Sequence, residues 1–382
     1  MSEMTKDIEQ YLQTKFGNSI GESNERQLYQ ALMAETRNRL LKKRYDYTKK
    51  LKESGQKQAY YMSMEFLVGR TLRNNLFNLG LEEEIRSFLA EKNFDLDKIY
   101  DMEPDPGLGN GGLGRLASCY LDALTSNDYP VTGFSILYEF GIFKQVIANG
   151  WQQEYPDNWL GMGQYGLVHR SDEEIEVKFY GKTQEHWTKD GLKVTYEDYT
   201  SIIAEPYDLM ISGYKSEAVN VLRLWKSKAD AGFDMKLFER GEYAKSSESE
   251  AIAESISKLL YPADDTNEGK ALRIKQQYFF TSASLQQIVK NHYKTYGSLD
   301  NLADKVAIHI NDTHPSMCIP ELMRILLDDY DYSWEKAWDI TTKVFAYTNH
   351  TIMAEALEKW SVDLFAPILP RVFTIIREIN NR

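Results

Sequence analysis

Glu103-Pro104-Asp105-Pro106-Gly107-Leu108-Gly109-Asn110-Gly111-Gly112-Leu113-Gly114-Arg115-Leu116 packs five glycines into eight positions. Leu113, Leu116, Ala117, Tyr120, Leu121 and Leu124 then recur at helical spacing, so the glycines lead into the N-terminus of a helix. Such a junction gathers free backbone N–H groups and the positive end of the helix dipole, which suits a phosphate or another anion. Glycines let the backbone approach a ligand where a Cβ would block it. Gly109-Asn-Gly111-Gly-Leu-Gly114 also satisfies the G-x-G-x-x-G dinucleotide pattern. That pattern should follow a buried strand, however, and Asp101-Met-Glu-Pro-Asp-Pro is acidic and broken by proline. Taken alone, the run also reads as a tight turn into a helix.

Composition narrows the classes. With 382 residues, 42% hydrophobic and 13% aromatic, the chain has enough apolar material for a sizeable core. A net charge of −12 makes a nucleic-acid backbone a poor partner. The two cysteines, Cys119 and Cys318, lie in apolar helical patterns and read as reduced, buried thiols of a cytoplasmic protein. The first residues carry no apolar leader, and no stretch approaches a membrane span.

Residues 1–55 read as a helical region and 56–382 as an α/β domain. Leu28, Leu32, Leu40 and Leu41 mark one helical face, and Lys42-Lys43-Arg44 a solvated one. Ala59–Met64 reads as a strand, and Glu65–Leu72 turns into a helix. A glutamate just past a strand end either contacts a ligand or stabilises a helix N-terminus. Residues 130–147 are β-rich, and 172–208 read as a hairpin-rich insertion. Arg223 and Trp225 can be packing residues. Ser247-Glu-Ser-Glu250 has capping-box spacing, with Ile252, Ile256, Leu259 and Leu260 after it. The paired Asp264 and Asp265 precede Gly269 without calcium-loop spacing.

Lys305–Ile310 is a buried-strand run, followed by Asn311-Asp312-Thr313-His314 and a helix through Ile319, Leu322, Ile325 and Leu326. Lys343–Thr348 repeats the scheme, with Asn349-His350-Thr351 and a helix through Ala356, Leu357 and Trp360. Two strand–polar loop–helix units mean a parallel sheet with ligand residues at the carboxyl ends of its strands. His309, Asp312 and His314 do not make a metal site, because no further ligand is spaced to close one.

Several of these segments resemble the α-glucan phosphorylases of glycogen, starch and maltodextrin. The glycine run resembles E-x-D-x-G-L-G-N-G-G-L-G-R-L-A, and Tyr60–Leu72 is similar to Y-Y-[LM]-S-[LM]-E-F-x-x-G-R-T-L. Asn220–Trp225, Tyr261–Arg273, the H-x-N-D-T-H-P stretch at 309–315 and the Y-T-N-H-T stretch at 347–351 follow in the family's order. The resemblance runs from about residue 25 to Arg382. It departs at 161–170, where a G-x-P-W-E type turn is expected, and at Ala354 and Ser361, where many members have proline.

The resemblance implies the Rossmann-like N-terminal half of a two-domain B-type glycosyltransferase fold, with N-terminal helices and a β-rich insertion. It implies reversible phosphorolysis of α-1,4-glucan to glucose 1-phosphate with pyridoxal phosphate. By position, Gly112 and Leu113 would contact substrate phosphate, and Gly111 and Gly112 the cofactor side. Glu65, Tyr261, Arg273, Asp312 and His314 would line the substrate site, His350 would bind glucose, and Asp264 and Asp265 would order a gating loop. A homodimer is implied through the helix after Ser247. Animal members carry a phosphorylated serine and an AMP pocket near the N-terminus; with Tyr45 at the expected aromatic position, neither control is expected here. No G-T-x-N-x-K segment occurs, so the cofactor lysine and the C-terminal cofactor domain are expected outside this chain. The final helix, through Phe373, Ile375, Ile376 and Ile379, would then leave an apolar face uncovered. The same residues also allow a non-catalytic glucan-binding or dimerisation module.

Overall fold

A computed structural model describes residues 2–188, 191–230 and 232–382. The chain begins with two helices, Glu3–Phe16 and Glu25–Ser54. The second starts at a reciprocal cap in which Asn24 and Gln27 satisfy each other's backbone N–H, and it stops at Gly55 in the left-handed region. Leu28, Leu32 and Leu40 are buried, as their spacing predicts. Lys42 is exposed as expected, but Lys43 and Arg44 behave differently from a solvated face. Lys43 Nζ donates to the Ser216 carbonyl at 2.6 Å and Arg44 to Val219 at 2.8 Å, capping a turn of the sheet with their polar ends.

In chain order the strands are β1 (Gln58–Met62), β2 (Val131–Ile136), β3 (Gly141–Ala148), β4 (Trp151–Asp157), β5 (Leu167–His169) and β6 (Ile175–Phe179). They continue with β7 (Lys182–Thr188), β8 (Gly191–Glu197), β9 (Thr200–Ser212), β10 (Val219–Ala229), β11 (Val306–Asn311) and β12 (Phe345–Thr348). Eight of them form one sheet in the order β12-β11-β1-β2-β10-β9-β5, with β6 also on β9. The first five run parallel, and β9 turns antiparallel. Hairpins β3–β4 and β7–β8 stand outside this sheet.

Helices cover both faces of the parallel part. Along β10, Asn220 reaches Thr125 of the helix Gly112–Ser126, while Trp225 reaches Ser284 of the helix Asn267–Tyr296. Positions 220 and 225 differ by an odd number, so the two helices lie on opposite sides of the sheet. Arg223 and Trp225 are structural: Arg223 makes a bidentate pair with Asp208 at 2.7 and 2.8 Å, and Trp225 is fully buried. Strand order reverses at β1, since the chain leaves it for β2 on one side and later adds β11 on the other. A crevice at the carboxyl ends of such strands is where an open parallel sheet holds a ligand.

Five further expectations need correction. Residues 349–360 form only a single 3₁₀ turn, Ala354–Ala356, rather than a helix through Trp360. The segment has little core to dock on, with Ile352 and Met353 exposed, and Glu358 is held by hydrogen bonds to Arg273 and Gln277. The box at Ser247 does not form: a helix, Tyr243–Ser246, runs directly into it, and Ser247 has φ −111° and ψ 7° instead of extended backbone. Cys119 is exposed while Cys318 is buried, because Ala117, Ser118, Leu121 and Thr125 take the inward face of their helix. Glu65 does not head a helix, since the next one is Leu72–Asn78. Finally, the apolar side of the helix Pro370–Asn381 is covered, with Val372 and Ile375 buried and Phe373, Ile376 and Ile379 packed against the main core.

Candidate functional site

Two buried carboxylates set the glycine loop. Glu103, its first residue, crosses to the helix Leu72–Asn78 and accepts from the backbone N–H of Thr71 at 2.7 Å and Leu72 at 2.9 Å. Burial still pushes its pKa up against those bonds. Glu65, just past β1, makes the reverse crossing: its Oε2 accepts from Asn110 N at 2.5 Å and Gly111 N at 3.2 Å. Glycine is required where these strands of chain touch. A Cβ on Gly109 would lie 2.5 Å from Leu67 N, and one on Gly114 would lie 2.7 Å from Glu65 Oε2.

Gly111 and Gly112 are the opposite case, since a Cβ on either would meet nothing within 4 Å among the described residues. Their open side lies at the start of the 15-residue helix Gly112–Ser126, which has no side-chain cap and no acidic residue in its first turn. The Gly111 N–H is engaged by Glu65, whereas the N–H groups of Gly112 and Leu113 have no carbonyl one turn back. This open, uncapped turn fits a phosphate, whether from a substrate or from a phosphate-bearing cofactor.

The neighbouring strand ends supply the rest. Asp312 follows β11 with φ +64°, a conformation uncommon outside glycine, and its N–H donates to Thr348 at the end of β12. Its carboxylate accepts from Thr351 Oγ1 at 2.7 Å and, at 3.5 Å, from the His350 N–H. His350 Nε2 lies 2.7 Å from Asn311 Oδ1, and Asn311 Nδ2 donates to Ser63 Oγ at 3.0 Å. With Asn311 between them, His350 cannot activate Ser63 as a nucleophile.

Tyr261, also at positive φ (+51°), joins the two halves. Its hydroxyl donates to Glu65 Oε1 at 3.2 Å, and its ring lies 5.5 Å from that of His314. Burial, then the Glu65 charge, raises the Tyr261 pKa, so the phenol stays protonated. Among the described residues, His314 Nδ1 is buried without a hydrogen-bond partner, an unmet polar group of the kind that functional sites hold. Arg273 sits over the Tyr261 ring at 5.9 Å and pairs with Asp264 at 3.0 Å and Glu358 at 2.9 Å.

The structure therefore brings together Glu65, Gly111, Gly112, Leu113, Tyr261, Asp312, His314 and His350, with Arg273 and Asp264 at the rim. Asp265 is exposed and makes no hydrogen bond or ion pair among the described residues. Ser63, Asn311, Thr351, Gln277 and Glu358 are the members that sequence reasoning missed. Asn311 lies inside a quoted motif, but Glu358 is 85 positions from its partner Arg273 and carries no local signal. His309 is structural, stacked 5.1 Å from Tyr61 and bonded to Thr348; burial and the nearby His350 lower its pKa. The metal-ligand grouping among the described residues is elsewhere, at His169, Glu174 and Glu205. There Lys228 Nζ already lies 3.2 and 3.1 Å from the two glutamates.

No helix of the described residues is long and apolar enough to cross a membrane. A family model described as Carbohydrate phosphorylase matches residues 89–382. The chain is 47% identical over 327 residues to a protein of Chlamydia pneumoniae named glycogen phosphorylase, covering 85% of this chain and 40% of that one. Proteins of the same name from Haemophilus influenzae and Bacillus subtilis are each 43% identical. Those alignments cover 96% and 97% of this chain, and 44% and 46% of the relatives. The chain thus spans less than half the length of these relatives.

Proposed function

The chain belongs to the carbohydrate phosphorylase family, and on that premise we propose that it forms the glucan-binding side of an α-glucan phosphorylase site. The reaction is reversible phosphorolysis of an α-1,4-glucan end to glucose 1-phosphate. The observation that carries this reading is that Glu65 and Tyr261 link the open helix N-terminus at Gly112 to a cluster of sugar-compatible polar groups at the strand ends where strand order reverses.

In this reading the Gly112 and Leu113 N–H groups hold a phosphate and balance charge during bond cleavage. Asp312, His314 and His350 hydrogen-bond glucose hydroxyls, as fixed carboxylates and imidazoles do well. The Tyr261–Glu65 pair fixes the glycine loop against this pocket. The Arg273–Asp264 contact holds the 261–266 loop at the entrance, where Asp265 faces solvent. Pyridoxal phosphate, when bound, supplies a phosphate that exchanges a proton with the substrate phosphate; Gly111 and Gly112 leave room beside it. The family's cofactor lysine is expected from outside this chain, because no G-T-x-N-x-K segment occurs in it. The α/β core then corresponds to a Rossmann-like half of a two-domain glycosyltransferase, in a cytoplasmic homodimer.

The test is glucose 1-phosphate release from maltodextrin and phosphate with added pyridoxal phosphate, by the chain alone and with a separately expressed cofactor-bearing half from a relative. Release only with the added half supports the proposal. No release in either case, with maltodextrin still bound, favours a glucan-binding module.

A further inference from the structure

Proton positions in the Ser63–Asn311–His350 chain follow from counting donors and acceptors. Ser63 Oγ has one proton and donates it to the Glu65 carbonyl at 2.8 Å. No other donor reaches that buried carbonyl among the described residues, so turning the hydroxyl away would orphan it. The Glu65 N–H donates back to Ser63 Oγ at 3.3 Å. With its proton committed, Ser63 can only accept from Asn311, at 3.0 Å. The Asn311 NH₂ therefore faces Ser63, and its Oδ1 faces His350 Nε2 at 2.7 Å. A carbonyl oxygen cannot donate, so Nε2 carries the proton. Ser63 and Asn311 are both completely buried, and no bulk water competes for these bonds.

We infer that Ser63 and Asn311 are positioning residues that hold the neutral His350 ring as its Nε2–H tautomer, leaving Nδ1 of that neutral ring as a bare acceptor for a ligand hydroxyl. The tautomer stands on the hydrogen-bond chain alone; its use toward a sugar rests on the function proposed above. The neighbouring bonds to Asp312 fix the backbone on which the ring is carried. At this point the pocket selects a group that can donate. A ligand offering only a lone pair there would face the Nδ1 lone pair and be rejected.

Nitrogen-15 correlation spectra of the imidazoles test this, with the His350 resonances assigned by their loss in His350→Gln. The wild-type ring is expected to show a protonated Nε2 and an unprotonated Nδ1; the reverse pattern overturns the inference. Ser63→Ala, which removes a group that never touches His350, is expected to give a mixture of tautomers as the Asn311 amide loses its orientation. A spectrum unchanged from wild type overturns the relay. Asn311→Ala should also give a mixture, and Asn311→Asp, which keeps an acceptor, should restore Nε2–H. Added glucose is expected to move Nδ1 while the tautomer persists. If the tautomer holds and glucose leaves Nδ1 unmoved, the sugar-facing half of the inference fails while the proton assignment stands.

Discussion

Glu65→Ala and Glu65→Gln should part company in stability, and the structure says by how much. Both loop amides, Asn110 N and Gly111 N, bond to the same oxygen, Oε2, while the Tyr261 hydroxyl bonds to Oε1. A glutamine can turn its single oxygen toward the loop and keep both amide bonds. Its NH₂ then faces Tyr261, whose hydroxyl can accept. What is lost is the charge assistance, on the order of 1 kcal/mol. Alanine leaves two amides and a phenol without partners in a site where Glu65 is 4% exposed. At about 1 kcal/mol or more for each orphaned group, the loss is roughly 3–5 kcal/mol. Urea unfolding at constant slope measures both, and the glutamine variant should keep most of the midpoint that the alanine variant loses. Equal losses would refute the idea that Glu65 acts as an acceptor for the loop rather than as a buried charge.

Gly109→Ala should cost about 3 kcal/mol, because its Cβ meets backbone that cannot yield. Gly111→Ala should cost under about 1 kcal/mol yet weaken phosphate binding, since its Cβ enters the open side of the first turn; thermal melts and a phosphate titration separate the two. Arg273→Ala should lose about 2 kcal/mol by leaving the Glu358 carboxylate, 12% exposed, without its cation. The double variant with Glu358→Ala should recover part of that loss in a denaturation cycle. His309 holds its proton less readily folded than unfolded, because burial disfavours the imidazolium. As pH falls, the unfolded chain therefore binds the proton first, near about 6.5, and stability should decline from there downward. His309→Gln should flatten that part of the urea-midpoint profile between about pH 7 and pH 5.

Much of the candidate site's geometry was legible because its residues follow strands with strong local signals. The apolar run before Asn311 and the glycines before Leu113 each announce a turn at the strand ends, where Asp312 and His350 bond each other and Glu65 connects to them through Ser63 and Asn311. What the local pattern could not carry is which partner a polar group chooses. Glu65 and Glu103 each stand near a helix start in sequence, yet each crosses to stabilise the other's segment. Residues 349–360 had apolar residues at helical intervals, but a helix needs a surface to bury them on, and here Glu358 ties the segment to Arg273 instead. Lys43 and Arg44 were misread for the same reason, since a carbonyl acceptor some 170 positions away has no trace in the local sequence.

The most direct test is a backbone amide spectrum of the chain titrated in turn with phosphate, glucose and glucose 1-phosphate. Phosphate should move Gly112 and Leu113, glucose should move Asp312, His350 and Thr351, and glucose 1-phosphate should move both sets together. Shifts that avoid these strand ends, or a glucose 1-phosphate response limited to one set, would contradict a single crevice built for sugar and phosphate.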